Sequence, residues 1–208
     1  MFAPRTGRYL LPGIALLAPL LLLAALNVFS ARLLFTAAAI AVAGIVAFLA
    51  WFLRDPERSV GAEIVSAADG RVRAVVRERD RWRISVFMNV TDVHVNRFPL
   101  DATVVGISDA GSGFRPAYRD DAHHNSRRHY TLETSVGLVE VVQMTGIVAR
   151  RLVSLTKEGE RHAKGDRLGM ILFGSRVDVL LPATRTEPLV HPSQTVRAGV
   201  TPIARERR

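Results

Sequence analysis

Hydrophobic and polar positions divide the chain into a purely apolar beginning and a longer part with short alternating runs. Segments 9–29 and 33–53 contain no charged residue and are rich in leucine and alanine. Each has about 20 residues, the length that crosses the hydrocarbon core of a membrane. Only Ser30-Ala31-Arg32 separates them. The pattern therefore predicts a helical hairpin that spans the membrane.

A spanning hairpin has two alternatives. A signal peptide would need a cleavage site followed by a mature domain, whereas a second apolar segment follows here almost at once. A pair of re-entrant or interfacial helices remains open, because Pro12 and Pro19 interrupt the first segment.

Arginine placement predicts the orientation of the hairpin. Only Arg32 lies in the connection, whereas several arginines flank the outer ends. The positive-inside bias then places both ends, and the domain after them, in the cytoplasm. The flanking residues are Arg5, Arg8, Arg54 and Arg58.

From residue 64 the pattern becomes that of β-strands. Short β-branched runs alternate with turn residues such as Asp69-Gly70, Gly137 and Glu158-Gly159. We expect an α+β chain overall, with a membrane hairpin and hinge over 1–58 and a mostly β domain, with room for one or two short helices, over 59–208. The predicted strand runs are 64–65, 72–76, 84–90, 104–105, 138–144 and 147–155, with a last strand pair within 194–203 and a frayed end at 205–208.

Charge adds a partner to this picture. The net charge is +9, and nearly all the cations are arginines, since Lys157 and Lys164 are the only lysines. Such a balance favours a polyanion, either nucleic acid or an anionic lipid surface. No nucleic-acid motif is recognisable, so the apolar beginning decides for an anionic membrane. Cysteine is absent, which excludes thiolate chemistry.

The stretch Met170 to Pro182 is typical of strand, tight break and strand. Its break is Gly174-Ser175, and a period-2 run comes next. Taken alone, a Gly-Ser pair is a bulge with a hydrogen-bonded serine. The alternative is self-processing, in which the Ser175 hydroxyl attacks the Gly174 carbonyl.

Four blocks of sequence resemble phosphatidylserine decarboxylases of the short bacterial type, in the family's order. The string Arg54-Asp55-Pro56-Glu57-Arg58 before them is also similar to one in that family. The blocks are Ser66-Ala67-Ala68-Asp69-Gly70-Arg71-Val72, then Val86-Phe87-Met88-Asn89-Val90 with His94-Val95-Asn96-Arg97 and Pro99, then Gly146-Ile147-Val148-Ala149-Arg150-Arg151, and last Phe173 to Pro182, read FGSRVDVLLP.

The resemblance implies a self-processing proenzyme. Cleavage between Gly174 and Ser175 would give chains 1–174 and 175–208, and Ser175 would become a pyruvoyl group, the covalent cofactor that forms a Schiff base with the substrate amine. It also implies a framework like the barrel-sandwich of biotinyl and lipoyl domains. The expected partners are phosphatidylserine, the anionic membrane, the two cleaved chains as a heterodimer, and further copies in a homo-oligomer.

The family pattern also assigns candidate catalytic residues. Asp69 matches the Asp of the family's Asp-Gly pair, which assists self-cleavage, although a bare Asp-Gly is more often a hairpin turn. Asp92 and His94 match the first two positions of the Asp-x-His-x-x-His string of the longer members, but Arg97 replaces the last histidine. Either His94 takes the acid–base role, or Asn96 and Arg97 reshape the site to bind the anionic substrate.

Arginine suits bidentate recognition of phosphate and carboxylate groups. We expect Arg97, Arg150, Arg151 and Arg176 to contribute to this, and Asn125 and Arg127, which match an Asn-x-Arg of the family, to lie in a substrate-covering loop. A metal site formed by His123, His124 and His129 is conceivable from their spacing, but a polar loop is favoured, and no metal is expected.

The sequence thus predicts a decarboxylase that forms phosphatidylethanolamine and CO2 at the cytoplasmic face of a bacterial inner membrane. Two alternatives stay open: a decarboxylase of another phosphoserine lipid such as an archaetidylserine, and a non-catalytic membrane-tethered adaptor, which the replacement at Arg97 favours.

Overall fold

A computed structural model describes residues 1–26, 32–113, 125–146, 151–172 and 175–207. The chain divides into two compact units, Met1–Pro56 and Glu57–Arg208.

The first unit is a pair of helices. They are α1 (Gly7–Ala25) and α2 (Arg32–Phe52), and each is long and apolar enough to cross a membrane. The chain before α1 meets the chain after α2, since the Ala3 amide donates to the Leu53 carbonyl and the Asp55 amide to the Met1 carbonyl. The outer ends of the pair therefore lie side by side, which confirms the predicted pair of apolar helices, although α1 begins two residues earlier than the apolar segment.

Strands form all the regular elements in the described part of the second unit, so the expected short helices do not occur there. The β-rich character of the domain is confirmed. The strands are β1 (Ile64–Val65), β2 (Gly70–Glu78), β3 (Arg81–Met88), β4 (Val95–Arg97), β5 (Ala102–Ala110), β6 (Arg127–Thr134), β7 (Gly137–Thr145), β8 (Arg151–Ser154), β9 (Arg161–His162), β10 (Arg167–Leu172), β11 (Ser175–Pro182), β12 (Thr186–Pro188), β13 (Thr195–Val196) and β14 (Pro202–Glu206).

An eight-stranded sheet dominates this unit. Its order is β13-β2-β3-β11-β7-β6-β5-β9, and β11 pairs antiparallel with β3 on one side and with β7 on the other. The strand directly after the Gly174-Ser175 junction is therefore an interior strand of the largest sheet.

The alternation predicted for β11 decides which residues enter the core. Val177, Val179 and Leu181 are fully buried among core residues from all three sheets. Arg176 and Asp178 alternate with them and so lie on the opposite face of the sheet. Although both are charged, they are also buried, because they bind each other.

Two three-stranded sheets complete the unit, in the orders β1-β14-β12 and β4-β10-β8. The predicted strand, break and strand around Gly174-Ser175 is thus a passage between sheets, since β10 ends at Leu172 in a small sheet and β11 begins at Ser175 in the large one.

The end of the chain differs from the sequence prediction. Residues 194–203 do not form a strand pair: β13 pairs with β2, whereas β14 lies between β1 and β12. Fraying of 205–207 is also wrong, because Arg205 binds Glu187 and the Arg207 amide donates to the Arg185 carbonyl.

Candidate functional site

At one end of the large sheet, the terminal residues of β2, β3, β11 and β7 lie side by side. They form a row that contains Ser175. The Ser175 backbone pairs with Met88 of β3 and with Thr145 of β7, while Gly70 of β2 pairs with Val196 of β13. A Cβ on Gly70 would stand 2.1 Å from the Phe87 carbonyl oxygen and 3.2 Å from Met88 Cα. The register therefore brings the Asp69-Gly70 segment next to the strand end that flanks Ser175.

Asp69 is fixed by three hydrogen bonds. Arg58 donates from Nη1 to Oδ1 at 2.5 Å and from Nη2 to Oδ2 at 2.8 Å, and the Ala198 amide donates to Oδ1 at 2.8 Å. Gly70 comes next with φ +140°, a conformation that favours glycine. Asp69-Gly70 is therefore no hairpin turn but the entry into β2.

His94 lies immediately before β4 and is 1% exposed. Its Nδ1 donates to the Asp92 carbonyl at 2.9 Å, so the lone pair of the neutral ring is at Nε2. A turn fixes this segment, because the Asn89 amide donates to Asp92 Oδ2 and the Asp92 amide to the Asn89 carbonyl. The His94 carbonyl accepts from the Ile171 amide, near the end of β10.

A buried polar chain joins the two sheets beneath the row. Gln143 Nε2 donates to Asn96 Oδ1 at 2.7 Å, Asn96 Nδ2 contacts Met88 Sδ at 3.6 Å, and Tyr130 donates to Gln143 Oε1 at 3.2 Å. All four residues are buried, and burial raises the pKa of Tyr130. Gly169 leaves the room this needs, since its Cβ would lie 2.9 Å from Gln143 Nε2. The chain ties β4, which comes after His94, to the strand end beside Ser175.

We expect Gln143→Leu to destabilise the protein, because it leaves the buried Asn96 carbonyl without its donor at a cost of about 1–3 kcal/mol. Urea unfolding of the detergent-solubilised protein measures this, and Leu138→Gln is the control, because Leu138 is half-exposed on the same strand. The control is expected to stay within about 0.5 kcal/mol. Equal effects of the two variants would contradict a structural role of the polar chain.

The Arg97 side chain contacts two neighbouring loops of the β domain. Its Nη1 donates to the Gly165 carbonyl at 2.9 Å, and a Cβ on Gly199 would lie 3.0 Å from Arg97 Cδ. Asn96, with both ends of its amide in buried contacts, is likewise held by the protein. The substrate-binding roles of these two residues stay predictions.

The structure brings Asn125 to the row at Ser175. Asn125 is fully buried and its Nδ2 donates to the Thr145 carbonyl at 2.7 Å. Arg151 is exposed and pairs with Leu172, the last described residue before Gly174-Ser175. Gly174 and Arg150 lie outside the described residues, as do His123 and His124.

Arg127 and Arg176 both lie on the face of the large sheet opposite Asn96. They line a groove of about 470 Å³ together with His129, Glu140 and Asp178. Arg127 and His129 belong to β6, so their prediction as loop residues is wrong, and β6 was absent from the predicted runs. Arg127 Nε donates to His129 Nε2 at 3.0 Å, and His129 Nδ1 binds Glu140.

Residues that could hold a metal ion do not cluster in the part of the chain that the structure describes. His129 uses both ring nitrogens in the contacts above.

Three residues of the candidate site were not predicted from the sequence: Arg58, Gln143 and Thr145. Arg58 was expected only as a flanking charge, although its place in the Arg-Asp-Pro-Glu-Arg string was a signal for it. Gln143 interrupts a run of buried apolar residues on β7, and a polar residue at a core position is a signal for a buried hydrogen bond.

These observations define a β-rich protein with two apolar N-terminal helices, in which the segments of Asp69, His94 and Asn125 adjoin the strands next to Ser175. A family model described as phosphatidylserine decarboxylase matches residues 45–204, more than half of the chain. The chain belongs to the phosphatidylserine decarboxylase family.

Several curated relatives are similar over most of their length. A phosphatidylserine decarboxylase proenzyme of Thermobifida fusca is 44% identical over 170 residues, covering 81% of this chain and 78% of the relative. One of Ralstonia nicotianae is 42% identical over 171 residues, covering 77% and 79%. A putative archaetidylserine decarboxylase proenzyme of Halobacterium salinarum is 47% identical over 167 residues, covering 77% and 82%.

Proposed function

We propose that the protein is a self-processing decarboxylase that converts phosphatidylserine to phosphatidylethanolamine and CO2. The observation that carries this is the place of Ser175. Ser175 is the first residue of an interior strand, where the chain crosses from a small sheet to the large one, and it lies beside the Asp69-Gly70 segment. Membership of the decarboxylase family supports an enzyme over a membrane-tethered adaptor.

Self-cleavage would proceed at the Gly174-Ser175 junction. The Ser175 hydroxyl oxygen attacks the Gly174 carbonyl carbon, the amide C–N bond breaks, and the nitrogen gains the proton that the hydroxyl lost. Removal of the Cα proton of residue 175 then breaks the ester C–O bond and releases Gly174 as a carboxylate. The dehydroalanine that remains tautomerises to an imine, and water replaces its nitrogen, which leaves as ammonia.

His94 and Asp69 would handle the protons of this reaction. His94 donates from Nδ1 to a carbonyl, so Nε2 is the atom that accepts a proton, which suits it to take that of the Ser175 hydroxyl. Asp69 would assist as a second base or orient the attacking group.

The residues around position 175 fit a pyruvoyl group. After cleavage and loss of the nitrogen of residue 175, the rest of β11 stays paired between β3 and β7, so the new end of the chain stays in the row. The group supplies an electrophilic ketone that accepts electrons from the bond to the departing carboxylate, as pyridoxal phosphate does in other decarboxylases. Arg97, Arg150, Arg151 and Asn125 would hold the phosphate and carboxylate of the substrate, whereas Arg127 and Arg176 lie on the opposite face of the large sheet.

The helices α1 and α2 would anchor the enzyme in the bacterial inner membrane, with the β domain on the cytoplasmic face. The substrate stays in the bilayer, so an anchored enzyme meets it at the surface, and the net charge of +9 favours anionic lipid there. We further infer a barrel-sandwich framework of the biotinyl and lipoyl type, a heterodimer of chains 1–174 and 175–208, and a homo-oligomer of such heterodimers.

A second candidate substrate is an archaetidylserine. The 47% identity to the Halobacterium salinarum relative favours it. The two lipids share the phosphoserine head group and differ in their tails, which are remote from the reacting atoms. Release of CO2 from each lipid in matched micelles separates the candidates.

Intact mass under denaturing conditions tests the proposal first. We expect two chains cut between Gly174 and Ser175, the smaller one lighter by one ammonia than a serine N-terminus requires. A single uncut chain in freshly folded protein would mean that no electrophile forms, and would favour the non-catalytic adaptor.

A further inference from the structure

Arg58 joins three parts of the β domain through one guanidinium group. It binds both carboxylate oxygens of Asp69, and its Nη1 also donates to the Ala198 carbonyl at 2.9 Å. The Ala198 amide in turn donates to Asp69 Oδ1. Arg58, Asp69 and Ala198 therefore form a closed set of hydrogen bonds, which we call the Arg58 clasp.

The Arg58 clasp differs from an ordinary surface ion pair. The side chains of Arg58 and Asp69 are 11% and 12% exposed, whereas those of Arg205 and Glu187, which also pair, are 55% and 46% exposed. Exposed pairs contribute little because water and salt screen them. A bidentate pair shielded from water fixes the direction of a carboxylate much more firmly.

The direction of the Asp69 carboxylate matters because the next residue, Gly70, lies against the strand end at Ser175. Gly70 packs against the Phe87 carbonyl and Met88 Cα, and Met88 pairs with Ser175. Asp69 therefore lies one residue from the part of β2 that packs against the strand end at Ser175.

We propose that Arg58 is a positioning residue for self-cleavage, which acts by fixing the direction of the Asp69 carboxylate next to the strand end at Ser175. This inference rests on the proposed function. It assigns to the first residues after the helices a role in maturation as well as in linking the two units. Lysine cannot replace arginine fully at this place, because an ammonium group does not match both carboxylate oxygens at once.

The test measures the rate of chain cleavage in newly synthesised full-length protein, by denaturing electrophoresis and intact mass. We expect Arg58→Gln to slow cleavage roughly tenfold to a hundredfold, the loss that results from a small misplacement of a reacting group. Arg58→Lys is expected to fall between Arg58→Gln and the unchanged chain. Arg205→Gln, which breaks the exposed pair, is the matched control and should cleave normally.

A double-mutant cycle distinguishes positioning from general support of the fold. If Arg58 acts through Asp69, Arg58→Gln has no further effect on the cleavage rate in an Asp69→Asn chain, whereas independent structural effects multiply. The addition of guanidinium ion to Arg58→Ala should restore part of the rate without affecting Arg205→Ala, which keeps the test decisive if Arg58→Gln folds poorly.

The outcomes separate this inference from the proposed function. Normal cleavage of Arg58→Gln, or independent effects in the cycle, would overturn the role of Arg58 while self-processing stands. If the chain without substitutions stays uncut, the proposed function itself is overturned. Normal cleavage of Asp69→Asn would show that Asp69 is not needed, and Arg58 would then have no group to position.

Discussion

Ser175→Ala is expected to leave a single chain of full length with no decarboxylase activity. Alanine has no oxygen to attack the Gly174 carbonyl, so neither the ester nor the later keto group can form. The fold should persist, because residue 175 takes part in the sheet through its backbone. Intact mass and CO2 release from phosphatidylserine measure the two losses together.

Ser108→Ala is the matched control for this experiment. Ser108 is an exposed serine of β5, away from the row at Ser175, so its replacement should change neither the mass pattern nor the activity. Cleavage at the usual place in Ser175→Ala would contradict the assigned nucleophile.

Gly70→Ala is expected to lower the free energy of unfolding by about 3–5 kcal/mol. The alanine would have an unfavourable positive φ, and its Cβ would also overlap a neighbouring strand. The new Cβ would stand 2.1 Å from the Phe87 carbonyl oxygen, which is backbone and cannot rotate away. This is a large part of the roughly 5–15 kcal/mol that stabilises a typical domain. Urea unfolding in a Ser175→Ala background measures it on a uniform, uncut chain.

Gly159→Ala separates the overlap from the backbone conformation. Gly159 also has a positive φ, +84°, but nothing lies within 4 Å of its ideal Cβ. We expect it to cost roughly 1–2 kcal/mol, the penalty for the conformation alone. Should Gly70→Ala cost no more than Gly159→Ala, the close approach of β2 to β3 at the site would be wrong.

Local patterns revealed much of the fold. The charge-free segments predicted α1 and α2, and alternation predicted β11, because both signals depend only on nearby residues. β6 was missed since Arg127, Arg128 and His129 look like loop residues. In the strand, Arg127 and His129 lie on one face of the sheet, where Glu140 binds His129, and Arg128 alternates with them and binds Asp109.

Pairing between distant segments could not be predicted in this way. Thr195-Val196 and Pro202–Glu206 look like a hairpin because they are close in sequence, yet they pair with β2 and with β1 and β12. Partner choice in a sheet depends on the whole core and not on local spacing.

The candidate site shows the same division. Sequence blocks identified Asp69, His94 and Asn125 near Ser175 as candidates, because each lies in a recognisable motif. Arg127 and Arg176 carry the right chemistry, but strand alternation places them on the face opposite Asn96. Arg58 lies 11 residues before Asp69, and no local pattern relates the two.

The interior place of β11 changes the molecularity of folding once the chain is cut. The precursor folds as one chain, whereas the small chain 175–208 would then contribute β11 between β3 and β7, together with β12, β13 and β14. Unfolding of the matured protein releases two separate molecules, so its thermal midpoint should rise with protein concentration. Reassembly after denaturation would be a second-order reaction between the two chains. Each enzyme molecule therefore depends on the folding that its precursor completes as a single chain before it matures.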